Sequence, residues 1–353
     1  MTRPLTYAQA INEATRIAME ADPRMLCFGL GMDDPKRIFG TTVGLVEAFG
    51  RDRVFDMPTS EAGMTGIAIG ASLDGTRCLM THQRLDFFLL AMDQLVNNAA
   101  KWQYMFGGNA TPVRVAIRLI LGRGWGQGPT HSQSLQSWFA HVPGLKVVMP
   151  AFPADAKGLL LSGLFADSPV LFLEHRWLHN LQGPVPEGDV RVPLGRAQVV
   201  CPGADVTIVS MSYMTVEALH AVNFLRQCGV SAELVDLRSI RPLDWDTVLS
   251  SVRKTGRLVA VDTSHEMCSV ASEIVATAAT ECFAHLKAAP RRLTLPDHPS
   301  PTSPALAERF YPRAEDIVAT VGELVGRRFD VGPLVAARAA PHDVPGDWFK
   351  GPF

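Results

Sequence analysis

The chain has 353 residues, 47% hydrophobic and 19% charged, with a formal net charge of -2. That length favours about two or three domains with sizeable cores, and Lys and Arg are scattered rather than striped, which leaves no electrostatic footprint for nucleic acid. No stretch reaches the ~18 uncharged apolar residues that a membrane helix requires.

The N-terminal residues 1–20 mix Arg3, Asn12, Glu13 and Arg16 with apolar positions, unlike a signal peptide's apolar core. Apolar spacing of three to four residues predicts an amphipathic helix from Tyr7 to Ala21. A strand at Met25–Gly29 follows, then a loop with Asp33-Asp34-Pro35, a helix near Val43–Phe49 and a strand at Val54–Met57. The run from Gly63 to Leu73 is rich in small residues, as expected of a helix packed closely on a cofactor or another helix. Cys78–Thr81 reads as a strand and Phe87–Lys101 as a helix. Strands at Val113–Leu121, Leu145–Met149 and Val170–Glu174 enclose a helix at Ala154–Phe165. This strand–helix–strand order implies an α/β fold with a parallel sheet covered on both faces.

Around Gly183–Pro193 the composition shifts to Pro, Gly and charge, marking a linker. Beyond it, strands at Val206–Ser210, Ala232–Asp236 and Leu258–Asp262 alternate with helices at Thr215–Gln227, Asp244–Ser251 and Val270–Cys282. A helix at Ala314–Gly326 closes this second, smaller α/β domain. The expected boundaries are 1–185, 186–328 and a Pro-rich tail at 329–353. For the tail, a flexible segment competes with an arm packed on another subunit, because Trp348, Phe349 and Phe353 are costly to leave in water. The cysteines Cys27, Cys78, Cys201, Cys228, Cys268 and Cys282 are widely spaced without a Cys-x-x-Cys pair, so they read as buried, reduced thiols. A cytoplasmic location is expected.

Several ordered blocks carry a resemblance. They are Val54-Phe55-Asp56-Met57-Pro58-Thr59-Ser60-Glu61-Ala62-Gly63, the run Asp93 to Lys101, His131-Ser132-Gln133-Ser134, Trp138 to Val148, Asp155 to Leu159 and Arg238 to Asp244. Together the chain from about residue 5 to 326 resembles the beta subunit of the thiamine diphosphate-dependent, decarboxylating component of 2-oxo acid dehydrogenases. That is a transketolase-like group with a pyrimidine-binding domain and a C-terminal domain. The resemblance implies that Glu61, with Ser60 beside it, activates the cofactor's aminopyrimidine, that Phe87 stacks on that ring and that His131 contacts substrate-derived intermediates. A carboxylate is what such a cofactor needs to form its ylid, and a histidine suits proton exchange with an enamine. Read alone, Glu61 is more often a helix cap or solvated charge, His131 more often a loop residue, and Phe87 a core residue.

The Gly-Asp-Gly stretch that holds Mg²⁺ in thiamine enzymes is absent from this chain. The resemblance therefore implies an alpha partner carrying the diphosphate and Mg²⁺, and an assembly of two alpha and two beta chains. It also implies docking to a lipoyl acyltransferase core. It carries a structural K⁺ near Gly163–Pro169 least well, since Ala166 and Ser168 stand where relatives are more polar.

Three departures bear on substrate. Where relatives have Gly-Glu-Asp after the first strand, this chain has Gly29-Leu30-Gly31. His82-Gln83-Arg84 places a cation where relatives carry an aromatic; Arg84 is expected either to pair with the partner chain or, with His82 and Gln83, to bind an oxyanion on the substrate. The Ser264–Glu273 loop is shortened, and His265 within it reads as structural. The leading function is decarboxylation of a 2-oxo acid with acyl transfer to lipoamide. Carboligation or decarboxylation without lipoamide, and a non-catalytic scaffold, remain the alternatives.

Overall fold

A computed structural model describes residues 1–32, 37–123 and 126–338. The Asp33-Asp34-Pro35 loop and the aromatic end of the tail lie outside the described residues. The elements in chain order are β1 (Thr2–Thr6), α1 (Tyr7–Ala21), β2 (Leu26–Gly29), α2 (Leu45–Phe49), β3 (Val54–Asp56), α3 (Glu61–Leu73) and β4 (Cys78–His82). Next come α4 (Leu85–Phe88), α5 (Trp102–Met105), β5 (Val115–Leu121), α6 (Gln136–His141), β6 (Lys146–Val148), α7 (Pro153–Leu164), β7 (Val170–His175) and β8 (Gln182–Pro186). The remainder is β9 (Gln198–Cys201), β10 (Val206–Ser210), α8 (Tyr213–Gln227), β11 (Ala232–Asp236), β12 (Ser239–Arg241), α9 (Trp245–Thr255), β13 (Leu258–His265), α10 (Val270–Glu281), β14 (Arg291–Leu295), α11 (Pro304–Phe310), α12 (Ala314–Val325) and α13 (Gly332–Ala336).

The described residues divide into two units, one of 1–122 with 138–194 and one of 123–137 with 195–338. In the first, parallel strands run in the order β6-β7-β5-β4-β2-β3. β4, β5 and β7 are buried along their whole length. The apolar content of β5 and β7, broken by one charged residue each, is what a strand covered on both faces demands. α1 starts on a reciprocal cap, Thr6 accepting from the Gln9 amide while the Gln9 side chain accepts from the Thr6 amide.

Two expectations change here. Part of the expected linker is a strand: β8 pairs antiparallel with β1, with Pro184 opposite Pro4. A two-stranded ribbon tolerates proline because each strand has an edge that needs no donor. The expected helix at Phe87–Lys101 is broken into α4, a 3-10 turn at Leu89–Ala91, a π-helical turn at Gln94–Ala99 and α5. Along the π turn the polar side chains bond four residues apart, Asn97 Nδ2 to Asp93 Oδ1 at 2.7 Å and Asn98 Nδ2 to Gln94 Oε1 at 3.1 Å. The Ala100 amide reaches back five residues to the Leu95 carbonyl. Single π turns of this kind concentrate at functional sites.

In the second unit β14-β13-β10-β11 are parallel neighbours and β9 is added antiparallel to β11. Asp244 caps α9 by accepting from the Thr247 amide, and Gly256 ends it in the left-handed region at φ 74°. β9, β12, β14, α11 and α13 were not anticipated; each is short or lies in a Pro- or Arg-rich stretch whose periodicity is weak. α13 falls inside the expected tail. All six cysteines are free, but Cys268 is exposed and Cys228 half-buried, so only the other four fit the expectation of buried thiols. Cys268 stands at φ 58° just before the Ser269 cap of α10, which turns its side chain outward.

Candidate active site

In the first unit the chain leaves β2 for β3 on one side, and β4, on the other side of β2, continues the sheet towards β5. The strand order therefore reverses between β2 and β4, and open parallel sheets bind ligands outside the carboxyl ends of the strands at such a point. Gly29 ends β2, Asp56 ends β3 and His82 ends β4, so all three reach the same edge of the sheet. Gly29 is required there, because a Cβ would sit 2.3 Å from the Thr81 carbonyl oxygen. Asp56 Oδ1 accepts from the Gly31 amide at 2.7 Å and the Met32 amide at 3.3 Å, fixing the turn after β2.

Glu61 is the first residue of α3 and only 4% exposed. Ser60 precedes it without capping the helix. Among the described residues nothing hydrogen-bonds the Glu61 carboxylate, although a helix start favours its negative charge. Thr65, one turn on, is buried with an unpartnered hydroxyl, as is Thr81 on β4. These two threonines were missed by sequence reasoning. Nothing in their local pattern separates a threonine aimed at a ligand from one buried in a core.

His82 is 1% exposed and both its ring nitrogens lack partners among the described residues. Its ring meets the edge of Phe88 at 4.9 Å. Burial lowers its pKa to about 4, so the imidazole is neutral across ordinary pH. Arg84 follows in extended backbone, with Nη1 buried and unpartnered. Burial pulls its pKa down more than the charge of Asp86 raises it. Gln83 is half-buried beside them, and Phe87 leaves 42% of its surface exposed.

A second charged group was also missed. Arg118 on β5 donates through Nε and Nη2 to Glu174 Oε1 on β7, at 3.1 and 2.7 Å, with both side chains buried. His179 Nε2 stands 3.5 Å from Glu174 Oε2. Arg118 keeps the Glu174 carboxyl below its usual range although burial pushes the other way. A signal was present: Arg118 and Glu174 are the charged residues in two otherwise apolar strands. Arg118 lies in register with Thr81, so the pair braces the sheet one position from His82.

His131 belongs to the second unit. It is half-buried, its Nδ1 shares a hydrogen bond with the Thr130 hydroxyl at 2.9 Å, and its amide donates to the Gly128 carbonyl. Gly126 and Gly128, both at positive φ, let this loop pass Thr302: Cβ atoms there would meet Thr302 at 2.7 and 2.5 Å. The structure thus brings Ser60, Glu61, His82, Gln83, Arg84 and Phe87 together in one unit and places His131 in the other. His265 shares a hydrogen bond with the Pro296 carbonyl and packs on Phe310, a structural role. Among the described residues no group of three or more His, Cys, Asp or Glu could hold a metal, and no helix is long and apolar enough to cross a membrane.

The chain matches the family described as transketolase, pyrimidine binding domain, over residues 3–181, and transketolase, C-terminal domain, over 195–317. It is 43% identical over 330 residues to acetoin:2,6-dichlorophenolindophenol oxidoreductase subunit beta of Cupriavidus necator, covering 90% of this chain and 97% of that one. It is 37% identical over 322 residues to pyruvate dehydrogenase E1 component subunit beta of Bacillus subtilis, covering 91% and 98%. Among solved structures it resembles one described as split gene transketolase, inactive beta4 tetramer, with a TM-score of 0.70 at 22% identity over 92% of this chain and 97% of that one; this likeness bears on the fold. With the two domains in this order and relatives of this kind along nearly its whole length, the chain belongs to the transketolase-like family, among the beta subunits of the decarboxylating component of 2-oxo acid dehydrogenases.

Proposed function

We propose that this chain is the beta subunit of a two-component thiamine diphosphate enzyme that decarboxylates a 2-oxo acid and passes the acyl group to lipoamide. The observation that carries the reading is Glu61: a buried carboxylate at a helix start, free of partners among the described residues, at the ligand edge of the sheet. When bound, the cofactor supplies an ylid carbon that stabilises the carbanion left by decarboxylation. Glu61 holds a proton against the pyrimidine ring, Phe87 offers its exposed face for stacking and His131 exchanges protons with the reacting group.

The residues present fit the pyrimidine half of the cofactor and not the diphosphate half. Magnesium needs carboxylate and phosphate oxygens in near-octahedral array, and this chain offers no such set among its described residues. Relatives that are themselves named beta subunits support assigning Mg²⁺ and the diphosphate to an alpha partner in a heterotetramer. The outer face of α3 is built for a close neighbour: Gly63, Ile67 and Gly70 are exposed, and a Cβ at Gly70 would meet nothing within 4 Å of its own chain. Gly there leaves room for a second subunit's backbone. A K⁺ near Gly163–Pro169 stays doubtful, and the Arg77 Nη1 donating to the Leu164 and Ala166 carbonyls at 3.2 and 3.1 Å adds a cation that would repel it.

The test is to purify the chain with an alpha partner, add thiamine diphosphate and Mg²⁺, and follow 2-oxo acid loss with dichlorophenolindophenol or a lipoyl domain as acceptor. Turnover with both supports the reading. Dye reduction without transfer to any lipoyl domain moves the assignment to the reading without lipoamide, which Leu30 and Arg84 at the crevice favour. Absence of turnover with bound cofactor leaves the scaffold reading.

A further inference from the structure

The crevice between β2 and β4 is bordered by Leu30-Gly31 on one side and His82-Gln83-Arg84 on the other. Among the described residues nothing bonds the buried Arg84 Nη1 or the two buried ring nitrogens of His82, which ends β4. Among the described residues no carboxylate forms an ion pair with Arg84; Asp33 and Asp34, which follow the turn after β2, lie outside the described residues. Burying such groups costs free energy unless a partner arrives. A guanidinium pairs best with a carboxylate or phosphate through paired N–H donors. A neutral imidazole can donate to the same oxyanion without adding charge. The apolar Leu30 opposite contributes no repulsion to an anion.

Resting on the function proposed above, we propose that Arg84 and His82 form a specificity subsite for a second oxyanion on the substrate, remote from the carbonyl that reacts. The substrate is then a 2-oxo acid that carries a further carboxylate or a phosphate ester. Arg84 is a specificity-determining residue here, and the chemistry at Glu61 proceeds without it.

The experiment uses the assembled complex with thiamine diphosphate and Mg²⁺, as wild type, Arg84→Gln and Arg84→Lys. Steady-state rates are compared for 2-oxobutyrate, 2-oxoglutarate and phosphohydroxypyruvate, and calorimetry follows binding of the unreactive glutarate and phosphoglycolate against butyrate. The wild type should favour a doubly anionic substrate. Arg84→Gln should raise its KM by about 10- to 100-fold, leave kcat and the KM for 2-oxobutyrate in place and abolish the matching calorimetric signal. Arg84→Lys should recover part of it, and the stronger of the carboxylate and phosphate arms identifies the group. Equal preference for 2-oxobutyrate in the wild type, or loss of alpha-chain binding on sedimentation of Arg84→Gln with no change in selectivity, would overturn the proposal. The calorimetric arm requires no turnover: an Arg84-dependent anion signal without decarboxylation keeps the subsite and sinks the reaction, whereas decarboxylation without that signal does the reverse.

Discussion

At His82, burial alone lowers the pKa to about 4, against ~6.5 for an exposed imidazole. The unfolded chain therefore takes up a proton as pH falls through ~6.5, while the native imidazole resists it until about 4. The stability tied to this residue is complete above pH ~6.5 and is lost progressively as pH falls from there towards 4, by up to about 3 kcal/mol. Urea unfolding of the wild type should weaken between pH 7 and 4.5, and His82→Asn should flatten that slope; an unchanged slope contradicts the assignment. The cysteines divide in a similar way. Burial pushes the Cys27 and Cys78 thiols up to about 12, so neither offers a thiolate near neutral pH. A thiol reagent added to the native isolated chain should label Cys268 first and leave Cys27 and Cys78 until the chain is denatured. At this scale Glu61 and His131 were candidates because each sits in a block of matching neighbours, and Phe87 because it holds its place at the end of a stretch that otherwise departs. Thr65 and Thr81 could not be singled out, because their environment is assembled from strands and helices far apart in the chain; Arg118 and Glu174 stand out as charges in apolar strands, but their pairing does not show until the strands are aligned.

Two element-level features can be tested through packing. Gly144, in the Val142-Pro143-Gly144-Leu145-Lys146 stretch, stands at φ 91° with a virtual Cβ 1.9 Å from the Ala100 carbonyl oxygen. Gly144→Ala must displace the end of the π turn or the start of β6, and should cost about 3 kcal/mol or more. A denaturation midpoint equal to wild type would show that the contact is not tight. Glu174→Gln leaves the Arg118 guanidinium buried without its counter-charge, a change that costs about 3–5 kcal/mol in buried pairs; thermal unfolding checks it, and the loss should be far larger than for the exposed Asp189–Arg191 pair. Element type was legible wherever apolar periodicity was strong, as in α1, α8 and the strands β4, β5, β7 and β10. It failed at Phe87–Lys101, where a helical pattern conceals a π turn set by side-chain bonds among Asp93, Gln94, Asn97 and Asn98. It failed again at β8, whose prolines read as linker until its partner β1 is known.

For the whole molecule, the α/β class and the order of the two domains follow from alternating strands and helices, and likeness to relatives along nearly the whole chain agrees. What composition cannot convey is incompleteness. The exposed glycine face of α3 supports the proposal that the chain works with a partner. The chain by itself should neither bind thiamine diphosphate tightly nor consume a 2-oxo acid, and adding the alpha partner should restore both. The central claim is that the Glu61 carboxylate activates the cofactor in that shared site. Deuterium exchange at the thiazolium carbon of bound thiamine diphosphate, measured by NMR in wild-type and Glu61→Gln complexes of equal cofactor occupancy, tests it most directly. The account predicts exchange slowed by at least about 100-fold in the variant with assembly intact; exchange at the wild-type rate would contradict it.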